Sequence, residues 1–215
     1  MHQVFASWSG GKESALATYR ATSQGYQVAY LVNFISEDGK RSRSHGIPSS
    51  VLALQAKATG IPLIQVKTSW EHYEENFKKT ITWLKGKGIT GGIFGDIDVE
   101  EHKEWVERVC AELGIKPLLP LWGIEAEDLL AELWRSGFKA TVVATTLDKS
   151  LLGKSLNMPL LNEIRKFGCH PCGEAGEYHT FVTDGPIFNK PINITQGKKE
   201  QRNNVWFVEI SAKSK

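Results

Sequence analysis

Two patterns of apolar and polar residues alternate along the first two thirds of this chain. In the first pattern, apolar residues recur three or four positions apart, as on one face of a helix, in segments that begin near residues 14, 51, 73, 98 and 129. The second pattern consists of short apolar runs between these segments. The runs themselves, typical of buried strands, occupy positions 4–6, 28–34, 63–66, 92–94 and 141–144. This repeated strand–helix order predicts an α/β fold with one parallel sheet and helices on both of its faces. Ligands of such sheets bind beyond the carboxyl ends of the strands.

The pattern changes after about residue 146, where the regular alternation stops. Residues 147–167 have an irregular helical pattern, and the chain from Gly168 onward reads as loops and short strands. The polar run 198–204 predicts a hairpin connection. We therefore expect a larger first domain, residues 1–146, and a smaller α+β second domain, residues 147–215.

Composition narrows the class of protein. Hydrophobic residues make up 41% and charged residues 23% of the 215 residues, which is ordinary for a soluble globular protein. The formal net charge of +2 disfavours nucleic acid as a partner. No run of about 18 apolar residues predicts a membrane span, and the first residues predict no secretory signal. Three cysteines form no disulfide framework, so we expect a cytoplasmic protein.

The stretch from Ser9 to Ser14, with the sequence SGGKES, is the strongest candidate for chemistry. A Gly-Gly turn between a strand and a helix exposes backbone N–H groups at the helix N-terminus, which suits a polyphosphate. The stretch is not a Walker loop, which has four residues between its first glycine and Gly-Lys-Ser/Thr. Its spacing resembles the SGGxDS pyrophosphate loop (PP-loop) of the N-type ATP pyrophosphatases, which split ATP into AMP and pyrophosphate.

This resemblance implies that residues 1–146 form an ATP-binding domain with a Rossmann-like sheet of the adenine nucleotide alpha-hydrolase type. Lys12, which we expect to be exposed in a cleft, would neutralise charge on the β- and γ-phosphates as the α–β bond breaks. The backbone amides and hydroxyls that would bind the departing pyrophosphate belong to Ser9, Gly10, Gly11 and Ser14.

Two acidic residues are candidates for a magnesium site. The ATP pyrophosphatases usually have Asp where this chain has Glu13, so Glu13 either meets a magnesium ion or only favours the dipole of the first helix. Asp96 follows Gly95 at the carboxyl end of a strand, where it is placed to bind magnesium. The alternative is a turn Asp that caps the next helix. The segment 94–97, Phe-Gly-Asp-Ile, resembles a stretch of the same family, which favours the metal interpretation of Asp96.

Two further residues are candidates for the nucleotide site. Asn33 lies on the second strand, whose backbone typically meets the adenine ring in this fold. The basic and polar segment 40–46 is either a solvated loop, a mobile lid over ATP or a contact to an anionic partner. His45 becomes a candidate because the segment 44–48 resembles a family segment.

A second tract, residues 168–180, is dense in glycines and reactive groups. Read alone, it allows three interpretations. Cys169 and Cys172 form a redox pair or, with histidines of the tract, a zinc site. Alternatively, Glu174 and Glu177 handle a proton, an amine or a metal. In the third interpretation the glycines shape a turn and the cysteines fill apolar space.

The tract resembles the Gly-Glu-x-Gly-Glu-Tyr signature of the diphthine–ammonia ligases. Four segments match that family in order and span nearly the whole chain: 7–12, 94–97, 120–122 and 173–178. The resemblance implies ATP-dependent amidation of diphthine, a modified histidine of elongation factor 2, with ATP and Mg²⁺ as cofactors. AMP would be transferred to the diphthine carboxylate, and ammonia would then displace it. The residues implied on the acceptor side are Glu174, Glu177, Tyr178, His179 and Thr180.

The chain departs from that family at two positions of the tract, where Ala175 replaces a glycine and His179 replaces a carboxylate. The choice of acceptor therefore stays open. One alternative is a related adenylating enzyme with another acceptor, such as tRNA. Another is an adenine-nucleotide-sensing protein that turns nothing over. The sequence does not fix the oligomeric state, and a homodimer is compatible with it.

Overall fold

A computed structural model of the chain describes residues 2–43 and 45–212. Its larger sheet has five parallel strands in the order β3-β2-β1-β4-β5. The strands are β1 (Gln3–Ser7), β2 (Gln27–Ile35), β3 (Leu63–Lys67), β4 (Gly91–Ile93) and β5 (Lys116–Leu118). The parallel sheet that the hydrophobic pattern predicts is confirmed.

Helices cover both faces of this sheet, as predicted. One apolar cluster lies under α1 (Lys12–Ser23) and α2 (Ser49–Thr59), and a separate one lies under α3 (Tyr73–Lys85) and α4 (Glu100–Leu113). Strand β1 is central, with β2 on one side and β4 on the other. The strand order reverses there, which opens a crevice at the carboxyl ends of β1 and β4.

Gly95 brings the two sides of this crevice together. A Cβ at this position would lie 3.0 Å from the backbone carbon of Glu13 and 3.1 Å from the amide nitrogen of Ser14. The turn after β4 therefore packs directly on the first turn of α1, and a side chain would force the two apart. Asp96 follows immediately and is held beside the N-terminus of α1.

A second sheet has four antiparallel strands in the order β7-β6-β9-β8. Its strands are β6 (Lys139–Thr145), β7 (Tyr178–Asp184), β8 (Ile194–Arg202) and β9 (Val205–Ala212). Helix α5 (Ala126–Arg135) precedes it, and a 3₁₀ helix (Lys149–Leu151) and α6 (Met158–Arg165) lie between β6 and β7. This sheet shares an apolar cluster with the α1 and α2 side of the first sheet.

Strand β6 corrects one expectation. The apolar run at 141–144 reads as another strand of the parallel sheet, but β6 pairs antiparallel with β7 and β9. A strand that is buried on both faces has the same continuous apolar pattern in either kind of sheet, so the pattern does not reveal its neighbours. The division after residue 146 stays a prediction, with β6 joined by pairing to the second sheet.

The polar run 198–204 also differs from its prediction as a hairpin connection. Most of it belongs to β8, and the turn consists of Asn203 and Asn204 alone, with φ angles of 48° and 64°. Positive φ at both central residues is the requirement of the tight two-residue hairpin turn, which asparagine tolerates. The strand is exposed and polar on both faces, so its sequence resembles a loop. Among residues 2–43 and 45–212, no helix is long and apolar enough to cross a membrane.

Candidate active site

A cavity of about 250 Å³ lies where the carboxyl ends of β1 and β4 meet the second sheet. It brings together residues that are far apart in the sequence, from the phosphate loop, the turn after β4 and the second tract. The candidates that line it are Ser9, Lys12, Glu13, Ser14, His45, Gly95, Asp96, Glu174, Tyr178 and His179.

The two glycines of the phosphate loop are needed for space. Gly10 has a φ of 81°, and a Cβ there would lie 2.5 Å from the side chain of Leu52. A Cβ on Gly11 would lie 2.5 Å from the imidazole of His45. Side chains at either position would therefore displace the walls of the loop, and the left-handed φ of Gly10 favours glycine independently.

The two serines of the loop bond to each other and to its backbone. The hydroxyl of Ser9 lies 3.1 Å from that of Ser14 and accepts a hydrogen bond from the amide of Gly11 at 3.2 Å. Ser14 in turn donates to the carbonyl of Gly11 at 3.1 Å. These bonds fix the curvature of the loop, and both serines face the cavity.

Lys12 is buried, contrary to the expectation that it is exposed. Only 4% of it is accessible, and its ammonium donates to the carbonyl of Cys172 at 2.6 Å. The ammonium also forms an ion pair with Glu13 and lies 4.4 Å from the centre of the Tyr178 ring. Burial acts to lower the pKa of Lys12, but attraction to Glu13, Tyr178 and Cys172 outweighs it and raises the pKa above its ordinary value. Lys12 therefore stays charged although little water reaches it.

Two carboxyl groups, those of Glu174 and Asp96, line the cavity. Burial, and then repulsion from Glu13, raises the pKa of Glu174 to about 8. Glu174 is therefore mostly protonated at neutral pH. Asp96 lies 3.4 Å from the imidazole of His102, and this hydrogen bond raises the pKa of the histidine. The sequence reasoning missed His102, although its place in the first turn of the helix after Asp96 was a usable signal.

A buried histidine, His45, and a partly buried one, His179, form one wall of the cavity. The rings of His45 and His179 stack with centroids 4.4 Å apart and planes 24° apart. His45 is also held by the carbonyl of Thr180, at 3.2 Å from Nδ1. Burial lowers the pKa of His45 to about 4 and that of His179 to about 3, so both rings are neutral at neutral pH.

Three candidates have side chains outside this cavity. Glu177 accepts a hydrogen bond from the amide of His170 at 3.3 Å, which shapes the second tract. The hydroxyl of Thr180 accepts from the amide of Lys12 at 3.1 Å. Asn33 donates to the carbonyl of Trp8 at 2.8 Å and lines a separate pocket of about 60 Å³ near the end of β2.

The cysteines of the second tract are placed as apolar filler. The thiol of Cys172 lies 3.5 Å from the carbonyl of Ala126, and burial raises its pKa to about 12. His170 is turned toward Asp98, at 3.1 Å. In the described ranges, 2–43 and 45–212, no three His, Cys, Asp or Glu residues are arranged to hold a metal ion. The contacts and burial of Cys172 therefore favour a packing role for this cysteine.

An aromatic pocket of about 380 Å³ adjoins the cavity and shares Asp96 and His102 with it. Its other walls come from Ser7 at the end of β1, from Val106 of α4 and from four aromatic residues, and the sequence reasoning did not find it. The aromatic residues that line it are Trp70, Tyr73, Phe94 and Trp105.

Both parts of the chain match models of one protein family. The model of the diphthamide synthase N-terminal domain matches residues 2–117, and that of the diphthamide synthase C-terminal domain matches residues 125–215.

Relatives with the name diphthine–ammonia ligase are similar to this chain over most of its length. The proteins of Rattus norvegicus and Homo sapiens are each 33% identical over 220 residues, which cover 89% of this chain and 82% of theirs. The protein of Schizosaccharomyces pombe is 32% identical over 215 residues, 87% of this chain, but the match spans only 35% of its own length. With both domains matched and the likeness extending over most of its length, this chain belongs to the diphthamide synthase family.

Proposed function

We propose that this protein catalyses the ATP-dependent amidation of diphthine on elongation factor 2, with ammonia as the nitrogen donor. One observation carries the proposal: the phosphate loop and the second tract line the same cavity, with Lys12 beside Glu174 and Tyr178. A ligase of this kind has to activate a carboxylate with ATP and deliver it to ammonia without releasing the activated group. One cavity, lined by both segments, serves both steps. Because translation takes place in the cytoplasm, the proposal places the protein there.

In the first step, a carboxylate oxygen of diphthine attacks the α-phosphorus of ATP. A new O–P bond forms, the bond between the α- and β-phosphates breaks, and pyrophosphate leaves with the electron pair. The loop at the N-terminus of α1 would hold the pyrophosphate, because the positive end of the helix dipole favours an anion. Lys12 would supply a fixed positive charge, which its ion pair with Glu13 keeps in place.

Magnesium fits this site as a partner of the polyphosphate. Mg²⁺ is usually bound by one or two carboxylates together with substrate phosphates and water. Glu13 and Asp96 would supply the carboxylates, since both face the cavity. The described residues hold no ready-made cluster of three ligands, which agrees with a metal that needs phosphate oxygens. The ion would neutralise charge on the polyphosphate when bound.

In the second step, ammonia attacks the carbonyl carbon of the adenylated diphthine. A C–N bond forms, the C–O bond to AMP breaks, AMP leaves with the electron pair, and nitrogen gives up a proton. Glu174 is our candidate for the proton acceptor, because it faces the cavity and its pKa of about 8 is closer to that of ammonium than the pKa of an ordinary carboxyl. Glu177, the other candidate, has its side chain in the wall of the tract.

A second candidate function is adenylation of a different acceptor by the same chemistry. It is favoured by His179, which stands where the family has a carboxylate and is stacked on His45. A neutral ring at this place would attract a cationic acceptor less strongly than a carboxylate does.

One assay separates the two candidates. The protein is incubated with ATP and magnesium, with and without ammonium and diphthine-bearing elongation factor 2, and AMP and pyrophosphate are measured. Formation of AMP that depends on this acceptor, with diphthamide as product, is the expected result. Turnover with tRNA or another acceptor, and none with diphthine, would contradict the diphthine proposal. Nucleotide binding without turnover on any acceptor would favour the adenine-nucleotide-sensing protein over both enzymes.

A further inference from the structure

Strand β7 of the second sheet runs along the phosphate loop and is bonded to it. The amide of Val182 donates to the carbonyl of Gly10 at 2.9 Å, and the Thr180 hydroxyl accepts from the amide of Lys12 at 3.1 Å. Gln55, a fully buried residue of α2, donates to the carbonyls of Gly10 and Val182 at 3.0 and 2.7 Å. The conformation of the loop is therefore fixed from the second sheet as well as from its own helix.

The side chain of Lys12 is fixed from the same side. Its ammonium reaches the carbonyl of Cys172 and lies over the ring of Tyr178. The hydroxyl of Tyr178 donates to the carbonyl of Pro171 at 2.6 Å, and only 1% of the residue is accessible. A lysine side chain has four flexible bonds, so holding its ammonium at one point requires contacts that restrict them.

We propose that Tyr178 is a positioning residue for Lys12 in the cleavage of ATP, and not a contact of the acceptor. The inference rests on the proposed function, since it assigns a role within the first of the two steps. The sequence places Tyr178 on the acceptor side, where it would stack on a cation. Its ring already has a cation over it, the ammonium of Lys12, and its hydroxyl is used by Pro171. The signature tract thus contributes to the ATP half of the reaction.

The experiment compares Tyr178→Leu, which removes the ring, with Tyr178→Phe, which keeps it. A matched control is Tyr26→Leu, because Tyr26 also has a lysine, Lys116, over its ring at 5.6 Å, but belongs to neither tract nor loop. Affinity for ATP and for pyrophosphate is measured by calorimetry, and kcat and KM are measured separately for ATP and for the diphthine acceptor.

The expected result is a loss in Tyr178→Leu of about 10-fold to 30-fold in kcat/KM for ATP, the size of a desolvated cation–π contact. The KM for the acceptor stays the same, Tyr178→Phe keeps most of the activity, and Tyr26→Leu matches the wild type. A raised KM for the acceptor in Tyr178→Leu, with ATP cleavage unchanged, would overturn the proposal while leaving the proposed function intact. If the wild type turns over no diphthine, the proposed function fails, and the ATP and pyrophosphate affinities still decide the role of Tyr178.

A second measurement covers the case in which Tyr178→Leu does not fold. An aromatic ring shifts the NMR signals of protons lying over its face upfield. The methylene protons next to the ammonium of Lys12 should show this shift in the wild type and in Tyr178→Phe, both free and with ATP bound. Loss of the shift on addition of ATP would show that the ring does not hold Lys12 during the reaction, and the proposal would fall.

Discussion

The phosphate loop at 9–14 and the second tract at 168–180 line one cavity but are built in different ways. The loop is a local structure: two glycines and two serines give its curvature, and a helix begins directly behind it. The tract has no helix or strand before Tyr178 and is held by contacts with distant residues, among them the bond of His170 to Asp98. The curvature of the loop therefore has local causes, whereas the tract depends on the rest of the fold. Strand β7 then joins the two regions by bonding to the backbone of Gly10 and Lys12.

Replacing Lys12 should have the largest effect, because this residue joins the two regions. In Lys12→Met, we expect AMP formation to fall about 100-fold to 1,000-fold, as when a donor to developing charge is removed. The variant should also lose about 3 kcal/mol of unfolding free energy, since Glu13, which is only partly accessible, would be left without its cation. Pyrophosphate release and urea unfolding measure the two losses.

The double variant Lys12→Met with Glu13→Gln is the control for this prediction. It removes the unpaired charge, so stability should return while AMP formation stays low. A Lys12→Met protein as stable as the wild type would contradict the buried position of the lysine. Normal turnover in it would contradict the role of Lys12 in catalysis.

Gly95→Ala tests the packing of the β4 turn on the loop. The added methyl group would lie 3.0 Å from the backbone carbon of Glu13, so we expect a loss of about 1–3 kcal/mol of unfolding free energy. ATP affinity should fall with it, because the N-terminus of α1 has to move. Gly86→Ala is the matched control at an exposed helix end with a helical φ of −60°. Equal losses in the two variants, measured by thermal unfolding, would show that the close packing at Gly95 does not explain its loss.

The variant Glu174→Gln tests the raised pKa of Glu174 through the pH dependence of stability. The folded protein holds a proton on Glu174 up to about pH 8, while the unfolded chain releases it near the ordinary glutamate pKa of 4.5. Stability from this group is therefore complete below pH 4.5 and is lost as the pH rises through 8. The glutamine variant should melt at a higher temperature than the wild type at pH 9, and the gain should disappear at pH 4.5. A gain that is the same at both values would mean that the pKa of Glu174 is ordinary.

In the same variant the activity should fall, although the stability at high pH rises. At a fixed concentration of free ammonia, amidation by the wild type should rise as the pH passes through about 8, where Glu174 becomes able to accept a proton. Free ammonia has to be held constant because ammonium itself loses a proton over this range. In Glu174→Gln the rate should be lower, and this rise should be missing. Pyrophosphate release in the first step serves as the control, because it does not need the proton acceptor.

Cys169→Ser should have the smallest effect. The thiol of Cys169 lies 3.7 Å from the carbonyl of Ile164, and its pKa is raised by burial and then by Glu177. We expect kcat to stay within about twofold of the wild type, as for a substitution away from the chemistry. Elemental analysis for zinc and an activity assay under reducing and oxidising conditions check this. Dependence on zinc or on the redox state would revive the metal or redox interpretation of the tract.

The parts that the sequence predicts well are those with short-range causes. The order of strands and helices in the first sheet follows from periodicity, and the segment from Ser9 to Ser14 follows from its spacing. The burial of Lys12 could not be predicted in this way, because the groups that cover it come from about 160 residues later in the chain. The pairing of β6 depends on strands that follow it. The place of the Glu177 side chain in the wall of the tract could not be predicted either, because it depends on the conformation of the tract around His170.

The position of Gln55 has a consequence for the order in which the site forms during synthesis of the chain. Its amide joins the indole of Trp8, the carbonyl of Gly10 and the carbonyl of Val182, so three distant parts of the chain meet at one buried side chain. A ribosome makes Trp8 and Gly10 first and Val182 last of these. The growing chain can form the first sheet early, but its nucleotide pocket is complete only once β7 has left the ribosome tunnel. We therefore expect ATP to bind only after β7 has been made.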